Sequence, residues 1–200
     1  MPPKKYSMSF TTGGLFIFES SMFIDLYSDL PDWDRVRKKV MDQNLLQLRS
    51  SASSQKISGQ ICSRLKTLSS NEIEYFRHTS DLEKGYLLWV GVCRAHQFIR
   101  EFATEILRER YITFRPDIPH EEFDMFFNAK AEWDDSLDRI KPATRLKLRQ
   151  VLFRMMREAQ LITAQHQILP AIISSELADL LAAQQKQDLY LLHVRPIFLR

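Results

Sequence analysis

Basic side chains gather in one segment of the chain, and their spacing is suited to binding phosphate. Residues 139–157 carry seven bases and no acid, which gives this segment a net charge of +7. Apolar residues recur in it at helical spacing, so the pattern predicts an α-helix. At about 100° per residue, the side opposite the apolar face carries Lys147, Gln150, Arg154 and Arg157. Basic side chains bind backbone phosphates and an amide can read a base edge, so this stripe is typical of a DNA-contacting helix.

The contacts of this helix with phosphate are expected from six of its bases. We expect the main contacts from Lys147, Arg154 and Arg157, with help from Lys141, Arg145 and Arg149. No acid lies four residues from these bases inside the segment, so we expect no neutralisation within the helix. The preceding segment, residues 116–138, has eight acids and one base, and a net charge of −7. Pairing between the two segments, or a merely solvated basic face, stays open as an alternative.

A second helix, predicted from about residue 54 to 68, combines an apolar face with a face of small and polar side chains. The apolar face holds Ile57, Ile61, Leu65 and Leu68, and the opposite face holds Gln55, Lys56, Gly59, Ser63 and Lys66. Small residues permit close approach to a groove and polar ends reach the bases, so we predict DNA contacts from Lys56, Lys66 and Arg64. Residues 35–39 make the preceding helix basic, which favours a helix–turn–helix unit. The connection of residues 44–53 is longer than usual, and an ordinary surface helix is an equal alternative.

Residue patterns that would support catalysis or metal binding are missing from the chain. The sequence has no glycine-rich phosphate loop and no HExxH, and its five histidines are far apart. Adjacent Asp134 and Asp135 are best explained as a solvated helix end. We therefore predict a protein that is not an enzyme and needs no cofactor or metal. Cys62 and Cys93 lie among apolar neighbours, which indicates buried free thiols in a reducing cytosol.

The elements that would position these side chains are helices throughout. Helices are predicted from residue 16 to 30, ended by Pro31, and then from an N-cap at Asp32. Further helices follow the cap cluster at residues 69–71, begin at Asp81 with a break near Gly91, and run over residues 119–132 and 141–159. A last helix begins at residue 174 or 175, and residues 188–200 could be helix or strand. Prolines at residues 116 and 119 mark a boundary between an N-terminal half, 1–115, and a C-terminal half, 116–200, of one compact body.

Composition sets limits on the class of protein. Of the 200 residues 44% are hydrophobic and 26% charged, which is typical of a folded globular chain. The longest apolar run has eight residues, from Tyr86 to Cys93, whereas a membrane span needs about 20. The N-terminus has no signal-peptide pattern. We therefore expect a cytoplasmic monomer without a membrane partner.

Three segments together resemble a known family. They are residues 6–15 (YSMSFTTGGL, followed by Glu19 and Ser20), residues 98–111 (FIREFATEILRERY) and residues 145–159 (RLKLRQVLFRMMREA). They are similar to segments of the BrxA family, small core proteins of BREX (bacteriophage exclusion) phage-defence systems. The similarity spans nearly the whole chain, and it depends on the joint occurrence of these segments because none is a catalytic motif.

The resemblance implies an all-α, compact globular multi-helix fold with two helix–turn–helix-like units, one in each half. It also implies binding of double-stranded DNA, other BREX proteins as partners, and no catalytic residues. Two alternatives remain open. One is a protein-interaction adaptor that docks through its acidic helix and through the apolar residues 189–199, and the other is RNA binding of the kind known for NusB-like helical folds.

Overall fold

Helices make up every regular element in residues 6–193, the part of the chain that the computed structural model describes. The α-helices are α1 (Ile17–Asp29), α2 (Trp33–Asp42), α3 (Ser51–Leu65), α4 (Ser70–His78), α5 (Asp81–Ala95), α6 (Gln97–Glu101), α7 (Arg108–Ile112), α8 (His120–Ala131), α9 (Asp135–Asp138), α10 (Pro142–Glu158) and α11 (Ser175–Gln185). A π-helical stretch, Phe102–Leu107, joins α6 to α7, and a 3₁₀-helix, Lys186–Leu192, follows α11. Within these residues β-pairing is limited to two isolated bridges, so the predicted all-α fold is confirmed.

Side-chain caps fix several helix boundaries where the sequence predicts them. The Asp32 carboxylate accepts hydrogen bonds from the backbone N–H groups of Asp34 and Arg35, at 2.8 and 3.1 Å, and so begins α2. Ser69 and Glu72 form a reciprocal capping box at the start of α4. These caps depend on residues close in sequence, which is why the pattern alone located them.

Three predicted boundaries differ from the structure, and one of them is the end of α3, which lies at Leu65 and not at residue 68. The helix predicted from residue 54 begins three residues earlier, because the Ser50 hydroxyl accepts from the Ser53 N–H and caps α3 there. The break predicted near Gly91 lies instead at His96, where the backbone becomes extended between α5 and α6. Gly91 stays helical, and a Cβ there would lie 3.2 Å from the carbonyl oxygen of Arg64. Its glycine therefore permits the close crossing of α3 and α5.

The core unites residues from both sides of the predicted boundary at residue 116. Trp89 of α5 is fully buried, and its indole N–H donates to the carbonyl of Leu191 at 3.0 Å. Phe98 and Phe102 pack edge-on against Phe126 of α8, with ring centroids 5.1 and 5.4 Å apart. Such aromatic pairs add to the stabilisation that burial of their surface provides.

A buried ionic cluster fastens the 3₁₀-helix to the rest of the molecule. The Arg94 guanidinium binds Glu72 at 2.7 Å and Asp188 at 2.9 Å, and Arg100 also binds Asp188 at 3.1 Å. Both carboxylates are fully buried. Because burial of an unpaired charge is costly, each member of this cluster needs the others.

The segment predicted as an apolar docking tail is part of the core as far as it is described. Leu189, Leu191 and Leu192 are buried in the 3₁₀-helix, so the prediction that they form a docking surface is wrong for these residues. The remainder of that segment, residues 194–200, lies outside the described residues.

Candidate nucleic-acid interface

Helix α10 carries the predicted basic stripe on the side that faces away from the core. Pro142 stands at its first helical position, which suits the fixed φ of proline. Its apolar side is buried, as predicted, through Leu148, Val151, Leu152, Met155 and Met156. On the opposite side Lys147, Gln150 and Arg154 are exposed and Arg157 is half-buried.

The acidic helix α8 neutralises two of the predicted contacts. Arg145 donates to Asp124 at 3.1 Å and to the side-chain oxygen of Asn128 at 2.6 Å, and its guanidinium lies over the ring of Phe127. Arg149 pairs with the second carboxylate oxygen of Asp124. These two arginines hold α10 against α8, and the one carboxylate that they share balances one of their two positive charges. The sequence had left this pairing open, and the structure contains it.

Arg154 is paired within its own helix, contrary to the expectation from the sequence. Its Nε lies 2.7 Å from Glu158, which stands four residues further on and one residue beyond the basic segment. Glu158 also accepts the backbone N–H of Leu15 at 2.6 Å. The Arg154 side chain is nevertheless 60% exposed, and an exposed pair of this kind contributes only about 0.3–0.5 kcal/mol.

Two cations of α10, and the lysine that precedes its first residue, have no acidic partner in the part of the chain that is described. Lys141 and Lys147 are exposed and Arg157 is half-buried, and none of them has an acidic group within 4.0 Å among residues 6–193. Lys147 and Arg157 lie on the outward side of the helix, separated by the exposed amide of Gln150. Lys147, Gln150 and Arg157 are therefore the residues of the predicted stripe that have no acidic partner among residues 6–193.

Arg64 is removed from the predicted DNA-contacting residues, because the structure buries it. Its side chain is 1% exposed and donates to the carbonyl of Gly14 at 2.6 Å. The guanidinium also reaches the sulfur of Met155 in α10, at 3.7 Å. Burial lowers the pKa of Arg64 to about 10, with Glu158 acting in the opposite direction. Arg64 therefore joins α3, the N-terminal segment and α10, and it cannot reach a phosphate.

The outward face of α3 keeps one free lysine. Lys56 is exposed, and its ammonium donates to the Thr11 hydroxyl at 3.2 Å. Lys66 is paired with Asp34 of α2 at 2.8 Å, which raises the pKa of the lysine. The guanidinium of Arg37, a residue of α2, packs over Gly59. The side chain therefore fills the space in which the sequence predicted a close approach to a DNA groove. Helices α2 and α3 are joined by residues 43–50, and the helix–turn–helix unit stays a prediction.

A pair of histidines lies beside α10 that the sequence did not reveal. The rings of His120 and His166 are 4.6 Å apart at their centroids, and both pack against Phe153 of α10. Burial lowers both pKa values, and the positive charge of Arg157 lowers them further. The two histidines are far apart in sequence, so no local spacing could have indicated their contact.

The described residues hold no gathering of three or more His, Cys, Asp or Glu side chains that could bind a metal ion. Cys62 and Cys93 are buried free thiols, as predicted, and burial raises the pKa of Cys62 to about 11. Among residues 6–193 no helix is both long and apolar enough to cross a membrane.

Comparison with known proteins yields one family and one fold. A family model described as BrxA matches residues 4–185. A protein of Bacillus cereus (strain H3081.97), named "BREX protein BrxA", is 22% identical over 124 residues, which are 62% of this chain and 62% of that protein. The match thus covers less than two thirds of the length of the B. cereus protein. A protein of the same name from Paramagnetospirillum magneticum (strain ATCC 700264 / AMB-1) is 22% identical over 163 residues, 82% of each chain.

A solved structure shares the fold over nearly the whole chain. It is described as an uncharacterized protein from Magnetospirillum magneticum, and it superposes with a TM-score of 0.81 at 20% identity. The superposition covers 96% of this chain and 99% of that one.

Proposed function

Because the chain belongs to the BrxA family, we propose that it is a non-enzymatic component of a BREX phage-defence system that binds double-stranded DNA. The BREX assignment follows the names of its two relatives. The proposal of DNA binding is based on the exposed basic surface of α10.

The observation that carries the proposal is the unpaired positive charge on the outward side of α10. Lys147 and Arg157 lie ten residues apart on a 17-residue helix, about 15 Å along its axis. The major groove is about 12 Å wide and admits a helix of this kind. Gln150 stands between the two cations with an exposed amide, which is able to reach a base edge in the groove.

The salt dependence of the proposed DNA binding follows from the number of unpaired cations. Each neutralised phosphate contributes about −0.9 to the slope of log affinity against log salt concentration. Lys147 and Arg157 of α10, together with Lys141 at its N-cap, therefore predict a slope of about −2.7. Such binding depends on the phosphate backbone and is weakly selective for sequence.

The test is a titration of fluorescently labelled 25-base-pair duplexes at several salt concentrations. A Lys147→Glu/Arg154→Glu/Arg157→Glu variant should lose most of the affinity and most of the salt dependence. The matched control is Arg35→Glu/Lys38→Glu/Lys39→Glu, which changes the net charge equally on exposed positions of α2. Equal losses in both variants would show that α10 is not the main DNA-contacting face, whether net charge alone or a contribution from α2 accounts for the binding. Stronger binding of structured RNA than of the duplex would favour the NusB-like alternative.

Exposed apolar side chains on the acidic helix favour a protein partner as the second candidate function. Trp133, just beyond α8, is 80% exposed, and Met125 of α8 is 59% exposed. Exposed Trp and Met side chains are enriched in protein–protein interfaces. A Trp133→Ala variant that no longer copurifies with the other BREX proteins after nuclease treatment, yet binds duplex DNA normally, would support this role.

A further inference from the structure

Phe114 occupies a backbone position that normally belongs to glycine. Its φ is +59°, in the left-handed region, which is strained for a bulky side chain. The residue is 93% exposed, the highest value among the large hydrophobic residues described. Phe114 gains almost nothing from burial, and glycine would fit this backbone conformation without strain, so the fold does not require an aromatic side chain here.

The turn that holds Phe114 is firmly built. Helix α7 ends in a Schellman motif, in which Phe114 N–H donates to the Tyr111 carbonyl at 3.2 Å and Arg115 N–H to the Arg110 carbonyl at 2.8 Å. The Arg110 guanidinium closes the turn from the other side by binding Asp117 at 3.1 Å and Glu122 at 2.5 Å. The phenyl ring is therefore presented to solvent from a rigid support.

The segment that follows this turn is connected to α10 by hydrogen bonds and a ring contact. The Ile118 N–H donates to the His166 carbonyl at 2.9 Å, and the Ile168 N–H donates to the Pro116 carbonyl at 2.5 Å. The His166 ring in turn packs on Phe153 of α10, at 5.0 Å between centroids. The chain of contacts thus runs from the turn to the helix that carries Lys147 and Arg157.

From this placement, and resting on the proposed binding of duplex DNA, we propose that Phe114 is a wedge that inserts between stacked base pairs. Apolar side chains that enter a base step unstack it and bend the duplex. Arg115, the next residue, is exposed and has no acidic group within 4.0 Å in the described part of the chain, so it can bind a phosphate beside the opened step. Asp117 in the turn and Glu122 in α8 are both engaged by Arg110.

The chain offers a matched control for this proposal. Gln160 also has a left-handed backbone, with φ +53°, and is exposed in a Schellman motif at the end of α10. Replacement by glycine relieves the same strain at either position, so Phe114→Gly and Gln160→Gly should each raise the melting temperature by about 2–4 °C. Only Phe114→Gly removes an aromatic ring.

The experiment measures the affinity of each protein for 25-base-pair duplexes and the fluorescence of 2-aminopurine placed at successive steps of that duplex. The parent and Gln160→Gly should brighten the probe, which reports unstacking. Phe114→Gly should not brighten it, and its affinity should fall about tenfold, the scale of losing one base stack. A Phe114→Leu variant keeps an apolar wedge and should keep the unstacking.

Three outcomes would overturn the wedge. Equal affinity and equal probe fluorescence for Phe114→Gly and Gln160→Gly would show that the ring does not enter the duplex while leaving DNA binding intact. Loss of binding to another BREX protein without any change toward DNA would make Phe114 a protein contact. Failure of the parent itself to bind duplex DNA would overturn the proposed function and the wedge together.

Discussion

Replacement of Glu158 by glutamine should strengthen the hold of α10 on DNA. In the parent protein Glu158 neutralises Arg154 at 2.7 Å, so under the proposed function this arginine should add little to the release of counterions from DNA. Without the carboxylate, a fourth cation becomes available, and the salt slope should change from about −2.7 to about −3.6. At low salt the variant should bind more tightly, because it does not have to break a pair worth about 0.3–0.5 kcal/mol.

The same substitution should slightly weaken the fold. The glutamine oxygen can still accept the Leu15 N–H, but the buried guanidinium of Arg64 loses its nearby negative charge. The loss of the charged acceptor for the Leu15 N–H, together with this loss of negative charge, should cost about 1–2 kcal/mol, which corresponds to a fall in melting temperature of roughly 2–8 °C. Thermal melting therefore has to accompany the titration, and the DNA measurements are made well below the transition.

Glu74→Gln is the control for this prediction. Glu74 also pairs with an arginine on an exposed helix surface, Arg77 at 3.2 Å, so its replacement makes the same change in net charge on α4. Duplex binding is measured by anisotropy from 50 to 300 mM salt for the three proteins. An unchanged slope for Glu158→Gln, or an equal change for Glu74→Gln, would refute the reasoning that Arg154 is held back by Glu158.

Further predictions concern the core and its titration. Asp188→Asn should cost about 3–5 kcal/mol in urea unfolding, because it leaves Arg94 and Arg100 with less negative charge in a buried cluster. Arg64→Met should lower stability by about 1–3 kcal/mol, since the Gly14 carbonyl loses its donor, yet leave the salt slope of DNA binding unchanged. Burial lowers the pKa of His96 to about 4 and that of His193 to about 3, so the unfolded chain binds more protons below about pH 6.5. The free energy of unfolding should therefore fall between about pH 6 and 4, and His96→Gln should reduce that slope in urea titrations at several pH values.

The sequence predicted what short stretches of chain determine. Asp32, Ser69 and Pro142 act on backbone groups within three residues, and the stripe of α10 follows from helical geometry alone. These features do not depend on tertiary contacts, so the structure agrees with the prediction from the sequence.

Features that depend on tertiary contacts could not be predicted from the sequence pattern. Arg64 stands next to the apolar positions of α3, and whether it turns outward depends on the N-terminal segment that supplies the Gly14 carbonyl. The pairing of Asp124 with Arg145 requires α8 to lie along α10. Phe114 was missed because a left-handed helix end is normally signalled by glycine, and the sequence has none there.

The proposed DNA binding depends on a helix that has few free charges. Of its predicted contacts, Arg145 and Arg149 are bound to Asp124 and Arg154 to Glu158, which leaves the salt-dependent part of the affinity small. An apolar wedge contributes a part that salt does not screen. The two parts separate in one plot of log affinity against log salt concentration. Charge reversal on α10 should make the slope of this plot less steep. Phe114→Gly should instead lower log affinity by the same amount at every salt concentration and leave the slope unchanged. If both variants changed the plot in the same way, the separation into a salt-dependent and a salt-independent part would be wrong.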